Sequence, residues 1–341
     1  MDQSATARAD RRPLPRVPLA VPALGFGAAA IGNLYTAVPD EVAGAAVEEA
    51  YRSGIRLFDT APYYGYGLSE QRLGYALDSL HADDVVVSTK VGRLIVTGAP
   101  DEKSEDGYAV SGRQAIFDYS RDGVMRSFES SLRRLRRGSV DILLLHDVGR
   151  ETHGARHEEM LVRVLDEALP AMAQLKASGA CRAIGIGVNE QQACLEVMTR
   201  FDLDCIMLAG RYTLLEQEGG AAVLAEAARR GVGILAAGPF NSGLLARPEA
   251  PGARYNYRPA EESIVQRAQA IYAICAAEGV DVGAAALQFP LAHPAVVSVV
   301  AGMRSPDEVA LAVARSRAAI PGSLWRKLRE AGLLTVGAPT P

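Results

Sequence analysis

The chain reads as an α/β protein folded into a (β/α)8 TIM barrel, and three observations predict it. Helical stretches end in a glycine and lead into short aliphatic runs, and the unit recurs along the sequence. Eight such runs can be counted, each separated from the next by enough chain for a helix. The runs are nearly continuous rather than alternating, as expected of parallel strands buried on both faces.

In order, the first strand is placed at Leu24-Gly25-Phe26. Ala43 to Arg52 forms an Ala-rich helical stretch that passes through Gly54 into the second strand, Ile55 to Phe58. The third is Val85 to Thr89. Asp122 to Arg137 leads through Gly138 to the fourth, Ile142 to Leu145, and Leu161 to Ala177 leads through Gly179 to the fifth, Ala183 to Ile186. Cys205 to Leu208 is the sixth. Ala221 to Arg230 leads through Gly231 to the seventh, Gly233 to Ala236, and Val296 to Val300 is the eighth. Glycine recurs at the helix ends because it takes left-handed backbone without a Cβ clash. A doubly wound sheet fits less well, since Gly25-Phe26-Gly27 is followed by alanines and Gly32 falls too late for a GxGxxG turn.

Two connections exceed ordinary βα length, Gly92 to Tyr119 after the third strand and Pro239 to Pro259 after the seventh. Both leave strand C-termini, where barrel enzymes build their sites, so they read either as substrate walls and lid or as passive insertions. Residues 1–16 are polar and Arg-rich and are expected to be a flexible segment, with 17–341 forming one barrel domain.

Composition narrows the function. The 341 residues are 49% hydrophobic and 22% charged, ordinary for a globular enzyme, and a net charge of -4 argues against a nucleic-acid partner. Arg133, Arg134, Arg136 and Arg137 precede Gly138 and read as cations at a helix C-terminus. Cys181, Cys194, Cys205 and Cys275 have no CxxC spacing and read as buried thiols, and the five histidines contain no HExxH pair, so no metal is expected. Val17 to Ile31 is apolar but broken by Pro22, Gly25 and Gly27, which leaves it too short to span a bilayer. A cytoplasmic enzyme with no membrane partner is expected, and its oligomeric state is not indicated.

Chemistry concentrates at three strand ends. Asp59 closes the second run, Lys90 the third and His146 the fourth, while Tyr63 and Tyr64 follow Asp59 in Phe58-Asp59-Thr60-Ala61-Pro62-Tyr63-Tyr64-Gly65. A tyrosine with a reference pKa of about 10 becomes a usable acid–base when a nearby ammonium stabilises its phenolate. Asp59 can pair with Lys90 and limit the cost of burying its charge, and His146 can donate a hydrogen bond to a substrate oxygen. Such a set suits hydride transfer, in which one proton moves as a carbonyl and an alcohol interconvert.

At these residues the sequence resembles the aldo-keto reductases, in matching order from about Leu24 to Leu311. The family's Asp-Thr-Ala-x-x-Tyr-Gly motif falls on Asp59 to Gly65, its Lys on Lys90 and its His after Leu-Leu-Leu on His146. The resemblance implies a barrel using NAD(P)H, with Asp59, Tyr64, Lys90 and His146 as catalytic tetrad and Tyr64 as the acid–base. The cofactor side departs from the family pattern. Its Ser-Asn pair reads Val188-Asn189, leaving the Asn189 amide for the nicotinamide carboxamide. Its strand-six Gln is absent from Met207 to Tyr212, and its Ser-Pro-Leu reads Gly238-Pro239-Phe240, with Ala237 where an aromatic often stacks. Gly302-Met303-Arg304-Ser305-Pro306 opens a helix whose N-terminus suits a phosphate. Glu308 stands where NADP-preferring members carry an Arg, so the resemblance implies NAD, with NADP as the alternative should Arg304 replace that contact. Asp307 and Glu308 also fit a plain helix-dipole role.

Gly185 to Glu190, Ala209 to Leu215 and Phe117 to Ser127 resemble a branch holding L-fucose and D-threo-aldose 1-dehydrogenases and pyridoxal 4-dehydrogenase. The resemblance implies oxidation of the C1 hemiacetal of an aldose to a lactone. Pyridoxal oxidation and NADPH-driven aldehyde reduction are the alternatives, and a nucleotide-binding regulatory barrel is the alternative of another class.

Overall fold

A computed structural model describes residues 11–98, 107–247, 254–256 and 258–341. Its centre is a closed parallel barrel of eight strands. They are β1 Leu24–Gly27, β2 Leu57–Asp59, β3 Val86–Val91, β4 Ile142–His146, β5 Ala183–Val188, β6 Cys205–Ala209, β7 Gly233–Ala237 and β8 Val296–Gly302. Each strand pairs with the next in sequence, and β8 closes on β1 with Gly302 opposite Gly27. All eight expected runs are barrel strands. Several are displaced toward their C-termini: β2 begins at Leu57, and β3 continues past Lys90 to Val91.

Helices follow the strands on the outside: α1 Asp40–Arg52, α2 Leu68–Ser79, α3 Arg121–Leu135, α4 Leu169–Ala177, α5 Gln191–Met198, α6 Glu218–Arg230, α7 Glu262–Ala277 and α8 Pro306–Arg317. The two faces of each strand divide the core. In β4, Leu143 and Leu145 pack outward toward the helices, whereas Ile142 and Leu144 fill the barrel with Leu57, Val86, Met207 and Leu235. This is period-two alternation within a strand apolar on both faces.

Three local expectations change. The helix expected to run from Asp122 to Arg137 ends at Leu135, and Arg136, not Gly138, takes the left-handed turn at φ 56°. Its guanidinium is held by Asp78 at 2.7 Å. The stretch from Leu161 to Ala177 is not one regular helix, because Val164–Ala168 widens into a π turn just before Pro170. Proline lacks the N–H that a regular turn would use there.

Of the segment expected to be flexible, residues 11–16 are built into the barrel. Arg11–Pro13 pairs antiparallel with Ala20–Pro22, and Leu14, Leu19 and Val21 plug the barrel interior. Arg12 donates to Leu291 O at 2.7 Å and Val296 O at 3.0 Å. Leu14 decides the matter: it sits where a side chain on Gly233 would go, 2.4 Å from an ideal Cβ. Residues 1–10 lie outside the described residues.

All four cysteines are buried and unpaired. Among the described residues, no single helix is long and apolar enough to cross a membrane.

Candidate active site

The barrel's alternation carries the site. Counting by twos from the interior residues Leu57, Val86 and Ile142 reaches Asp59, Lys90 and His146 at the C-terminal rim. Three neighbouring strands therefore aim three polar side chains into the mouth. Lys90 Nζ donates to Asp59 Oδ1 at 2.9 Å, to Oδ2 at 2.8 Å and to Thr60 O at 2.9 Å, and Ser88 Oγ adds a bond to Asp59 Oδ1. Room for the lysine comes from β5, where a Cβ on Gly187 would stand 3.2 Å from Lys90 Cε.

Tyr64 reaches the same point from the loop after β2. That loop is pinned by Ser69, which shares a 2.8 Å hydrogen bond with Thr60 and donates to Ala28 O at 2.7 Å. Gly65 at φ 62° lies against Gly32, and a Cβ there would fall 2.3 Å from Gly32 O. Only glycine fits a left-handed turn in such close contact. Lys90 Nζ lies 4.7 Å from the centre of the Tyr64 ring, while Arg93 Cζ lies 3.7 Å above Tyr63. The two adjacent tyrosines are thus sorted between two cations, and Tyr64 receives the buried lysine. The Tyr64 and His146 rings meet edge-on at 5.9 Å.

Burial raises the Asp59 carboxyl above its ordinary range, with Lys90 and Ser88 pulling against the rise. Burial pushes His146 down to about 3; Asp147 opposes this, while Arg93 and Lys90 add to it. The imidazole is therefore neutral near pH 7. It can donate a hydrogen bond, but it is neither a charged acid nor a strong base.

The loop after β3 bears on this cluster. It contains a hairpin, Arg93–Thr97 with Arg113–Phe117, and Tyr108 from the same connection stacks on Tyr64 at 6.4 Å and meets Tyr63 at 5.5 Å. The loop after β7 docks differently: Asn256 accepts from Arg211 at 2.8 Å and Arg254 lies 5.2 Å from the Tyr35 ring.

Asn189, Gly238, Pro239, Gly302, Arg304 and Glu308 sit on the other arc of the rim, at the ends of β5, β7 and β8. An added Cβ at Gly302 would meet nothing within 4 Å. At Gly238 the nearest atom would be 3.7 Å away, and at Gly210 3.8 Å away. These glycines border open space that side chains would fill, and the N-terminus of α8 adjoins it. The N–H groups of Gly210 and Gly238 are already used within the barrel rim, donating to Ala237 O at 2.9 Å and Val300 O at 3.2 Å. Glu308, too, is engaged within the protein. It accepts from Arg304 N at 2.9 Å and lies 3.3 Å from Arg304 Nε, while its own N–H donates to Ser305 Oγ at 3.3 Å. Ser305-x-x-Glu308 is a capping-box spacing legible in the sequence.

Two residues escaped the sequence reading. Arg93 donates to Asp147 Oδ2, which lies 3.5 Å from His146 Nε2. Their only sequence signal is position: each charged residue stands within three positions of Lys90 or His146.

A closed barrel with a lysine-clamped acid, a tyrosine and a neutral histidine at its rim has the groups that an oxidoreductase needs to move a proton as a carbonyl and an alcohol interconvert. The chain belongs to the Aldo/keto reductase family, whose profile matches residues 23–331. It is 40% identical to pyridoxal 4-dehydrogenase of Microbacterium luteolum over 339 residues, covering 96% of this chain and 98% of that one. It is 41% identical to D-threo-aldose 1-dehydrogenase of a Pseudomonas species over 329 residues, covering 95% and 96%. L-galactose dehydrogenase of Arabidopsis thaliana is 33% identical over 308 residues, covering 87% and 85%. Among solved structures, the holo form of aldo-keto reductase AKR11C1 from Bacillus halodurans superposes with a TM-score of 0.75 at 26% identity, covering 96% and 97%.

Proposed function

We propose that the protein is an NAD-dependent aldose 1-dehydrogenase, oxidising the C1 hemiacetal of a sugar to its lactone. One observation carries the reading: Lys90, buried and clamped by Asp59, faces the ring of Tyr64 with neutral His146 alongside. When bound, a nicotinamide dinucleotide supplies the two-electron acceptor; Asn189, Gly238, Pro239, Gly302 and Arg304 are the residues to hold it. In this reading Tyr64 as phenolate takes the proton of the C1 hydroxyl while the C1–H bond breaks with its electron pair. The hemiacetal carbon becomes the lactone carbonyl. The Lys90 ammonium stabilises the phenolate, and Asp59 holds that ammonium in place. His146, neutral, donates to the C1 oxygen and leaves the proton to Tyr64.

Identity of 40% to a pyridoxal 4-dehydrogenase supports pyridoxal as the second reading. The deciding experiment follows NADH formation with L-fucose, D-arabinose, L-galactose and pyridoxal, each with NAD and with NADP. Sugar oxidation with NAD supports the proposal, and oxidation of pyridoxal alone replaces the substrate. Silence on all four with NADPH-driven aldehyde reduction overturns both substrate and cofactor. Nucleotide binding without turnover on any carbonyl or alcohol would favour a regulatory barrel.

A further inference from the structure

His146 has a charged neighbour whose placement its own role does not require. Asp147 has φ 53°, a sparsely populated conformation for a residue with a side chain, which persists only where the surroundings impose it. Here they do. Asp147 N donates to Gly187 O at 3.0 Å, and the single Tyr119 OH proton is shared between His146 O at 2.7 Å and Asp147 O at 2.8 Å. Arg93 grips the carboxylate, and its guanidinium is itself packed 3.7 Å from the Tyr63 ring and 4.3 Å from Phe117.

The carboxyl remains ionised. Burial pushes it up, while the Arg93 guanidinium that grips it and the Lys90 ammonium pull it down, and it lies below the usual carboxylate range. Its side chain is 21% exposed, and Oδ2 lies 3.5 Å from His146 Nε2. An immobile carboxylate is an acceptor only, and it favours a ligand that brings hydroxyl donors. With Oδ2 this close to the His146 ring, a hydroxyl on the carbon next to a reacting oxygen held by His146 can come within reach of Asp147.

We propose that Asp147, held by Arg93, is a specificity residue that accepts a hydrogen bond from a substrate hydroxyl adjacent to the reacting carbon. The inference rests on the reading of Tyr64 and His146 as the reacting centre, and it extends that reading to a substrate class, the α-hydroxy carbonyls and their hemiacetals.

The variant is Asp147→Asn. Asparagine tolerates left-handed backbone and keeps an oxygen for Arg93, so the fold is retained. Reduction of glyceraldehyde and of propanal with NADH is compared in wild type and variant. For glyceraldehyde kcat/KM falls about 10- to 100-fold, the scale of a hydrogen bond to a charged group, while propanal changes by less than about threefold. Binding gives an independent readout: L-fucose raises the melting temperature of wild type in the presence of NADH and raises that of the variant much less. Equal losses on both aldehydes would overturn the proposal and make Asp147 a support for His146. A wild type that does not prefer glyceraldehyde to propanal would overturn it as well. If wild type oxidises no aldose, the aldose assignment fails while the two-aldehyde comparison still judges Asp147.

Discussion

Replacing Asp59 with Asn tests whether the centre of the site is the buried ion pair described above. The two side chains are only 3% and 2% exposed, and Lys90 Nζ reaches both carboxylate oxygens within 2.9 Å. An exposed pair would be worth about 0–1 kcal/mol. A buried charge left without its partner costs about 3–5 kcal/mol. Asn keeps one oxygen, and Thr60 O still accepts from Lys90, so Asp59→Asn is expected near the lower end, about 3 kcal/mol. The assay is urea unfolding at pH 7, with a double-mutant cycle of Asp59→Asn, Lys90→Met and Asp59→Asn/Lys90→Met. The double variant should be more stable than Asp59→Asn alone, since it removes the stranded ammonium. A loss below about 1 kcal/mol, or a double variant no more stable than the single, refutes the buried-pair account.

Three further outcomes are expected. Tyr64→Phe should lower kcat about 10²-fold or more while NADH affinity by fluorescence titration stays unchanged; turnover equal to wild type would remove Tyr64 from the acid–base role. His146 sits at about 3 in the folded protein against an ordinary 6.5, so folding excludes its proton between those values and stability declines as pH falls through that window. Wild type should therefore lose about 1.4 kcal/mol per pH unit more than His146→Gln between pH 6 and 4, and parallel unfolding curves would show a histidine that is not buried as described. Gly65→Ala should cost at least about 1–3 kcal/mol and most of the activity, since the new Cβ would strike Gly32 O from a left-handed backbone. Wild-type stability in that variant would show the contact to be relaxed in solution.

The barrel was legible because its signals are local. Each aliphatic run is long enough to be seen, and Asp59, Lys90 and His146 mark the ends of three of them. Tyr64 was legible through the motif around it, but the reason it differs from Tyr63 was not. That depends on which ring lies near Lys90 and which near Arg93, a matter of loop geometry. The N-terminal hairpin was missed because one residue, Leu14, turns an Arg- and Pro-rich stretch into a plug, and its cavity over Gly233 belongs to a distant strand. The turn at Arg136 was missed because sequence preference gives it to Gly138, beyond the helix end at Leu135 that the structure shows. Glu308 fits both of its expected roles by sequence, whereas its geometry completes the cap of α8 with Ser305 and Arg304.

The division of labour in the mouth explains why overall similarity leaves the substrate open. Identities of 40% to a pyridoxal dehydrogenase and 41% to an aldose dehydrogenase cannot be told apart as measures of kinship. The proposed proton-handling groups Asp59, Lys90 and His146 stand on strands, where the alternation that fills the barrel also orients them, so loop changes leave the chemistry in place. Around these groups stand Tyr108, Arg93 and Asp147, which belong to or lean on the connection after β3. An ionised carboxylate beside the reacting centre favours a ligand with a hydroxyl next to its carbonyl, which an aldose always presents at C2 unless deoxygenated. A substrate without donors would leave that charge facing an unmatched surface and would bind less tightly. Under the proposed role of Asp147, where a substrate places its hydroxyl relative to the reacting carbon decides the matter that the percentages leave open.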